Sequence, residues 1–444
     1  MASRYSLALV STRIFFALIA TALLIASVLR APLAWDAGLY FFALLNNQVA
    51  FVPYQRWINV PLQAPTLMAS HFTSNLRILA LIFSLCYAAI PMLALAVSYL
   101  ICRRRRELFI WPALAIGLAT LPGIFAFNYE AIIIALLFWP ILLAALMGVS
   151  SGVEFVLVAM LAIVALLSHP TAAAFFALVA GIGFVSAKRS PRKLLNYAGA
   201  FALGLLALIR LAMPIENYER GQVALATLRE NFSLALSGWP LTAVVLTFVA
   251  AILCLIEGSR RNSLNVTTDL ALLGTIIVAG LMLVPWSSNP HLWWRESKYR
   301  TWMIPIHGAL MAACALDAWR ETDREFLWRQ RQPALIAIGA VFLVVLSIQS
   351  MRWDQLTHRL LDAMRGGGCI PAESLTWIDH TPFDHWSLSA YAIDLQGRTP
   401  RALILNGIYC DQFAANGKVR LSYFSIEDGH WFDFTQVRAA AVTP

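Results

Sequence analysis

The chain has 444 residues, 60% of them hydrophobic and 13% charged, with a mean hydropathy of +0.69. Soluble domains run nearer half apolar and a quarter charged, so this composition excludes a purely soluble protein. Nearly every dense cluster behind the formal net charge of +9 falls in alternate gaps between apolar stretches, which excludes a nucleic-acid face and points to membrane topology.

A helix needs about 20 apolar residues to cross a bilayer. Apolar stretches at 14–30, 77–101, 108–127, 131–149, 153–168, 171–187, 194–213, 240–256, 268–286, 301–318 and 334–350 fit that length. The expected fold is therefore an α-helical polytopic membrane protein with about 11 transmembrane helices, residues 1–350, followed by a tail at 351–444. The first stretch reads as a span rather than a cleaved signal peptide, because no small-residue cleavage site follows it. The basic clusters are Arg103 to Arg106, Lys188/Arg189/Arg192/Lys193, Arg260/Arg261 and Arg320/Arg324/Arg329/Arg331. With Arg4 and Arg13 they read as topological anchors, which puts the N-terminus in the cytoplasm and the C-terminus outside. A bacterial inner membrane is the expected location.

Between the spans, residues 31–76 are aromatic-rich and broken by Pro32, Pro53, Pro61 and Pro65, a composition suited to short interfacial helices. Residues 214–239 predict another. The segment SSNPHLWWRESKYRTW leads into the tenth span and is basic on the side where positive-inside retention does not apply. The tail is more polar, and ALILNGIYC and VRLSYFSI read as short strands, giving a small mixed α/β domain. Cys86, Cys102, Cys254 and Cys314 fall in or beside spans, whereas Cys369 and Cys410 fall in the tail, where an oxidising compartment lets them pair.

The first candidate for chemistry is Asp36, at the exit of span one. A half-desolvated carboxylate there has its pKa moved toward the range of a general base. Arg295, Lys298 and Arg300 form the second element, since arginine forks and lysine point charges hold phosphate. Arg56 and Arg77 are further phosphate candidates. Tyr129, Glu130 and His169 stand at other outer span ends, and Glu130 is placed to assist Asp36 or to orient an acceptor. His291 and His307 rank below them. The bland readings are a helix cap for Asp36, a helix-end histidine for His169 and contact with anionic headgroups for the cations. No phosphate-binding glycine loop, HExxH or CxxC pair occurs. His380, Asp384, His385, His430 and Asp433 match no familiar metal spacing.

The acid in WDAGLY (35–40), the basic lead KYRTWMIP (298–305), the many spans and the outer tail together resemble the GT-C superfamily of membrane glycosyltransferases. That superfamily includes the protein mannosyltransferases and the lipid A aminoarabinose transferases. The resemblance covers the architecture of the whole chain but only short motifs. Ala37 stands where many members carry a second acid, and the arginine–tyrosine order in KYRTWMIP is inverted.

The resemblance implies inverting transfer of a sugar from a polyprenyl-phosphate carrier to a lipid, glycan or protein acceptor. Asp36 and Glu130 would be the catalytic pair. Tyr40, Arg56, His169, Arg295, Lys298 and Arg300 would be the substrate-binding set. Trp377, Trp386 and Trp431 would grip acceptor sugars. Polyprenyl phosphate leaves without help from a metal, so a divalent ion is compatible with the chemistry but not required. Partners would be the lipid-linked donor, the acceptor and membrane lipids, with no nucleic acid. Other readings stay open: an O-antigen ligase or polymerase type enzyme, in which loop arginines and a histidine dominate; a transporter; or a non-catalytic assembly protein.

Overall fold

A computed structural model describes residues 2–53, 56–119, 130–188, 193–213, 292–319, 324–378, 385–421, 425–427 and 431–437. The expected spans at 240–256 and 268–286, and the segment 214–239, lie outside them. Helices dominate: α1 (Ala2–Val28), α2 (Asp36–Asn47), α3 (Asn59–Ser70), α4 (Leu76–Cys102), α5 (Ile110–Ala119), α6 (Glu130–Met147), α7 (Gly152–Leu166), α8 (Ala172–Ala187), α9 (Lys193–Ala212), α10 (Leu292–Ala318) and α11 (Arg324–Ala363). Among the described residues, Val10–Val28, Leu76–Cys102, Glu130–Met147, Leu194–Ala212 and Arg324–Gly366 are long and apolar enough to cross a membrane, and three shorter apolar helices accompany them. The chain is thus a helical membrane protein.

Local chemistry sets the helix starts. Asn75 caps α4 by accepting from Arg77 N at 3.0 Å, and Ser151 caps α7 by accepting from Glu154 N at 3.2 Å. Each supplies an acceptor to a donor that the first turn leaves orphaned. Packing then joins the helices. Phe15, Phe16, Tyr99 and Phe109 form an aromatic knot between α1, α4 and the turn before α5. Gly339 lets α11 lie close against α1, since a Cβ there would stand 3.2 Å from Phe15 and from Leu18.

One end of the bundle is closed by buried ions. Arg331 NH1 reaches Asp317 Oδ2 at 2.7 Å and Glu107 O at 2.8 Å. Trp111 Nε1 donates to the same Asp317 oxygen at 2.8 Å. Arg105 pairs with Glu107 at 2.8 Å and donates to Ala318 O. Two cations of the expected anchoring clusters, Arg105 and Arg331, are therefore tied to acids and carbonyls inside the protein. A buried cation must be paired, and Asp317 and Glu107 meet that need.

In the tail, β1 (Gly368–Pro371) pairs in parallel with β2 (Ala402–Leu405), Cys369 opposite Leu403. Helix α12 (His385–Gln396) crosses between them, and α13 (Gly407–Asn416) follows β2. Only the first part of ALILNGIYC is strand, because Asn406 accepts from Ile408 N at 3.0 Å and starts a helix. VRLSYFSI divides into β3 (Val419–Arg420) and β4 (Ser425–Ile426), which pair antiparallel. Cys369 and Cys410 form a disulfide with Cα atoms 5.6 Å apart, joining β1 to α13. Helix α11 continues to Ala363, beyond the 350/351 division expected from composition.

Candidate functional site

The site lies at the end of the bundle opposite the Arg331–Asp317 pair. Helix α1 ends in a turn with Arg30 in the left-handed region, φ 58°. Trp35 follows at φ 57°, ψ −128°. A non-glycine residue there costs about 1–3 kcal/mol and persists only where its surroundings enforce it. This turn places Asp36 as the first residue of α2, half-buried. The dipole at a helix start favours a carboxylate. Gly38, two residues on, packs too closely for a side chain without a shift: a Cβ would stand 2.9 Å from Leu33 O and 3.5 Å from Tyr391 Cβ.

Tyr40 follows Asp36 by one helical turn and is buried. Its hydroxyl donates to Glu130 Oε1 at 3.0 Å. Glu130 opens α6 and is 3% exposed. Its other oxygen takes Arg56 NH1 at 2.8 Å. Arg56 comes from the loop before α3, and that loop is held on several sides. Gln63 donates to Phe51 O at 3.0 Å and accepts from Phe51 N at 2.7 Å. Asn59 accepts from Tyr87 at 2.7 Å, and Trp57 N donates to Leu167 O at the end of α7 at 3.2 Å.

Electrostatics bind the group together. Burial opposes the charge on Arg56, but Glu130, Tyr40 and Asp36 outweigh it, so the guanidinium holds its proton more tightly than usual. Burial pushes the Tyr40 phenol well above its ordinary value, and Glu130 and Asp36 push further. Tyr40 therefore stays a hydrogen-bond donor. Two carboxylates act on one buried guanidinium, and Glu130 accepts from both Tyr40 and Arg56. Asp36 sits beside them and is partly open to solvent. This arrangement suits an acid positioned to take a proton, with Glu130 and Arg56 fixing its surroundings.

Four of the expected site residues, Asp36, Tyr40, Arg56 and Glu130, thus come together. His169 sits between α7 and α8, half-buried, with Nδ1 2.9 Å from Thr171 Oγ1. Its carbonyl accepts from Arg210 Nε at 3.3 Å. Arg210, in the last turn of α9, is therefore a further cation at this end.

Arg295, Lys298 and Arg300 lie on the first turns of α10, so their segment is helix rather than loop. Their side chains lie outside the described residues, as do Tyr129, His291 and the side chain of Trp386. The far end of α10 joins the Arg331 network, which directs its first turns toward the site end. Arg77 is exposed. His307 is fully buried in α10, with Trp139 Nε1 donating to Nδ1 at 3.3 Å.

Trp431 is not open to a sugar. It is 7% exposed, with Arg398 5.4 Å over its ring. Among the described residues no group of three or more His, Cys, Asp or Glu side chains could hold a metal. Gly148-Val149-Ser150-Ser151-Gly152 spells the GxSxG of a nucleophile elbow. That motif needs a strand-to-helix turn, and here it joins two helices. Ser150 Oγ donates to Glu154 Oε1 at 2.6 Å and accepts from Arg103 at 2.9 Å. No protein-family model, curated protein or solved structure matches the chain.

Proposed function

We propose that this chain is an inverting, polyprenyl-phosphate-sugar-dependent glycosyltransferase of GT-C type, with about 11 spans. In this reading it sits in a bacterial inner membrane, with its N-terminus in the cytoplasm and its tail in the periplasm. The observation that carries the reading is Asp36, half-buried in the first turn of α2 against the Tyr40–Glu130–Arg56 group at one end of a membrane bundle. The cystine in the tail and the arginine clusters at the opposite end support the orientation.

Asp36 takes the proton of the acceptor hydroxyl or amine as that atom attacks the anomeric carbon. The bond from that carbon to the phosphate oxygen breaks, and its electron pair leaves with polyprenyl phosphate. Arg295, Lys298 and Arg300 stabilise the growing phosphate charge, aided by the positive end of α10. Glu130, held by Tyr40 and Arg56, keeps α2, α6 and the first loop in register around Asp36.

The test uses protein in lipid nanodiscs, a panel of polyprenyl-phosphate sugars and an acceptor mixture, following release of polyprenyl phosphate. Turnover in wild type that falls at least about a hundredfold in Asp36→Asn, the scale of a lost general base, supports the reading. Equal turnover in both removes Asp36 as base. No turnover with any sugar, alongside transport of the intact carrier, favours the transporter reading.

A further inference from the structure

Asp394 lies on α12 and is 5% exposed, yet neither of its carboxyl oxygens has a hydrogen-bond partner among the described residues. Its helix is where tail and membrane helices meet. On the same helix, Tyr391 packs its ring 4.9 Å from Trp353 and shares a 2.8 Å hydrogen bond with Thr357, both on α11. Tyr391 also backs onto Gly38 of α2. Ser389 Oγ donates to Ile404 O at 2.7 Å, and Gln396 Nε2 to Ala402 O at 2.7 Å, which fastens α12 to β2. Phe432 stacks on Phe42 of α2 with ring centres 5.1 Å apart.

Few charges face this carboxyl. Arg30, in the turn after α1, acts on it from a distance, and no ion pair joins the two among the described residues. Tyr391 is the titratable neighbour on its own helix. Helix α11 presents the neutral Trp353 and Thr357, α2 presents Gly38, and β2 is apolar from Ala402 to Leu405. A charge buried without a partner is far costlier than a buried neutral acid.

We propose that the tail docks on the membrane helices with Asp394 uncharged, and that this acid makes the docking pH-responsive: rising external pH loosens α12 from α2 and α11, and with it the seat of Asp36. Burial pushes the Asp394 carboxyl well above the usual carboxylate range, and Arg30 pulls it back only in part. Burial also holds the Tyr391 phenol up at about 12, so it stays neutral. The docked form keeps its proton at pH values where a free carboxyl, with a pKa of about 4, has lost it. Docking is therefore at full strength below about pH 4. It weakens as pH climbs toward the docked pKa, by up to about tenfold per pH unit.

The test is hydrogen exchange by mass spectrometry on the whole protein in nanodiscs, from about pH 4.5 to about pH 9, corrected for intrinsic exchange. In wild type, protection of α12 and α2 should fall with rising pH, while α4 and α6 stay unchanged. Asp394→Asn should flatten that fall and retain protection at the alkaline end. Arg30→Gln leaves Asp394 in place and should extend the fall to higher pH and deepen it at the alkaline end, with its onset unchanged. A flat wild-type profile overturns the proposal. So does protection that rises with pH and is lost in both variants, which is the signature of an ionised Asp394–Arg30 pair.

Discussion

Glu130 closes on Arg56 across 74 residues of chain, at 2.8 Å and almost out of water. The two are the first residue of α6 and a loop residue ahead of α3, so one ion pair joins a membrane helix to the segment that borders Asp36. Removing one partner of such a pair strands the other charge, which costs more than the intact pair contributes.

Glu130→Gln should therefore destabilise the protein by about 3–5 kcal/mol, and Arg56→Met by a similar amount. The double variant should recover most of that loss, because no buried charge is left over. Thermal midpoints of the three proteins in nanodiscs measure this directly. Additive losses would show that the pair is not the coupled unit described.

Arg331 and Arg329 offer a contrast two residues apart on α11. Arg331 is 5% exposed and bonded to Asp317. Arg329 pairs with Glu325 at 3.3 Å on an open surface. Arg331→Leu should cost about 3–5 kcal/mol, whereas Arg329→Ala should change stability by less than about 1 kcal/mol. Comparable midpoint shifts for the two would show that the buried network carries no special weight.

Gly38→Ala sets two effects against each other. In a free helix the change stabilises by about 1 kcal/mol. Here the new methyl meets Leu33 O at 2.9 Å, and backbone gives way poorly, so a net loss of about 1–3 kcal/mol is expected. Sugar transfer should fall with it, since α2 carries Asp36. A stabilised, fully active Gly38→Ala protein would mean that α2 has room to shift.

Cys369→Ser opens a loop of sequence separation 41. The chain-entropy estimate for that loop is about 4 kcal/mol, and measured losses range over about 2–5 kcal/mol. The tail transition should drop in temperature, and dithiothreitol should reproduce the drop in wild type but add nothing in the variant. A reductant effect of equal size in Cys369→Ser would place the sensitive thiols elsewhere.

Much of the helical framework was readable from sequence, because a run of about 20 apolar residues has few alternatives. Asp36 and Tyr40 were readable too, since one turn of helix separates them. The Arg56–Glu130 contact was not, because it depends on how the first loop folds back onto α6 and α7. Arg105 and Arg331 looked like solvated anchors because counting charges cannot distinguish a cation in water from one paired with an acid far along the chain. Asn406 is a different kind of miss. It is a helix-capping residue inside an apolar run, so hydropathy alone reads strand across a point where the cap starts a helix.

Helix α11 has 40 residues, about 60 Å at the rise of an α-helix, or about twice the hydrocarbon thickness of a bilayer. One stretch of it is clamped through Arg331 at the arginine-rich end, and another meets Tyr391 through Trp353 and Thr357. A rod held at both places behaves as a lever. From Arg331 to Thr357 is about 40 Å of helix, so a tilt of about 3° at Arg331 displaces the Tyr391 contact by about 2 Å. The helix that is tied down at Arg331 thus also carries the contacts to Tyr391, which lies against Gly38, two residues from Asp36.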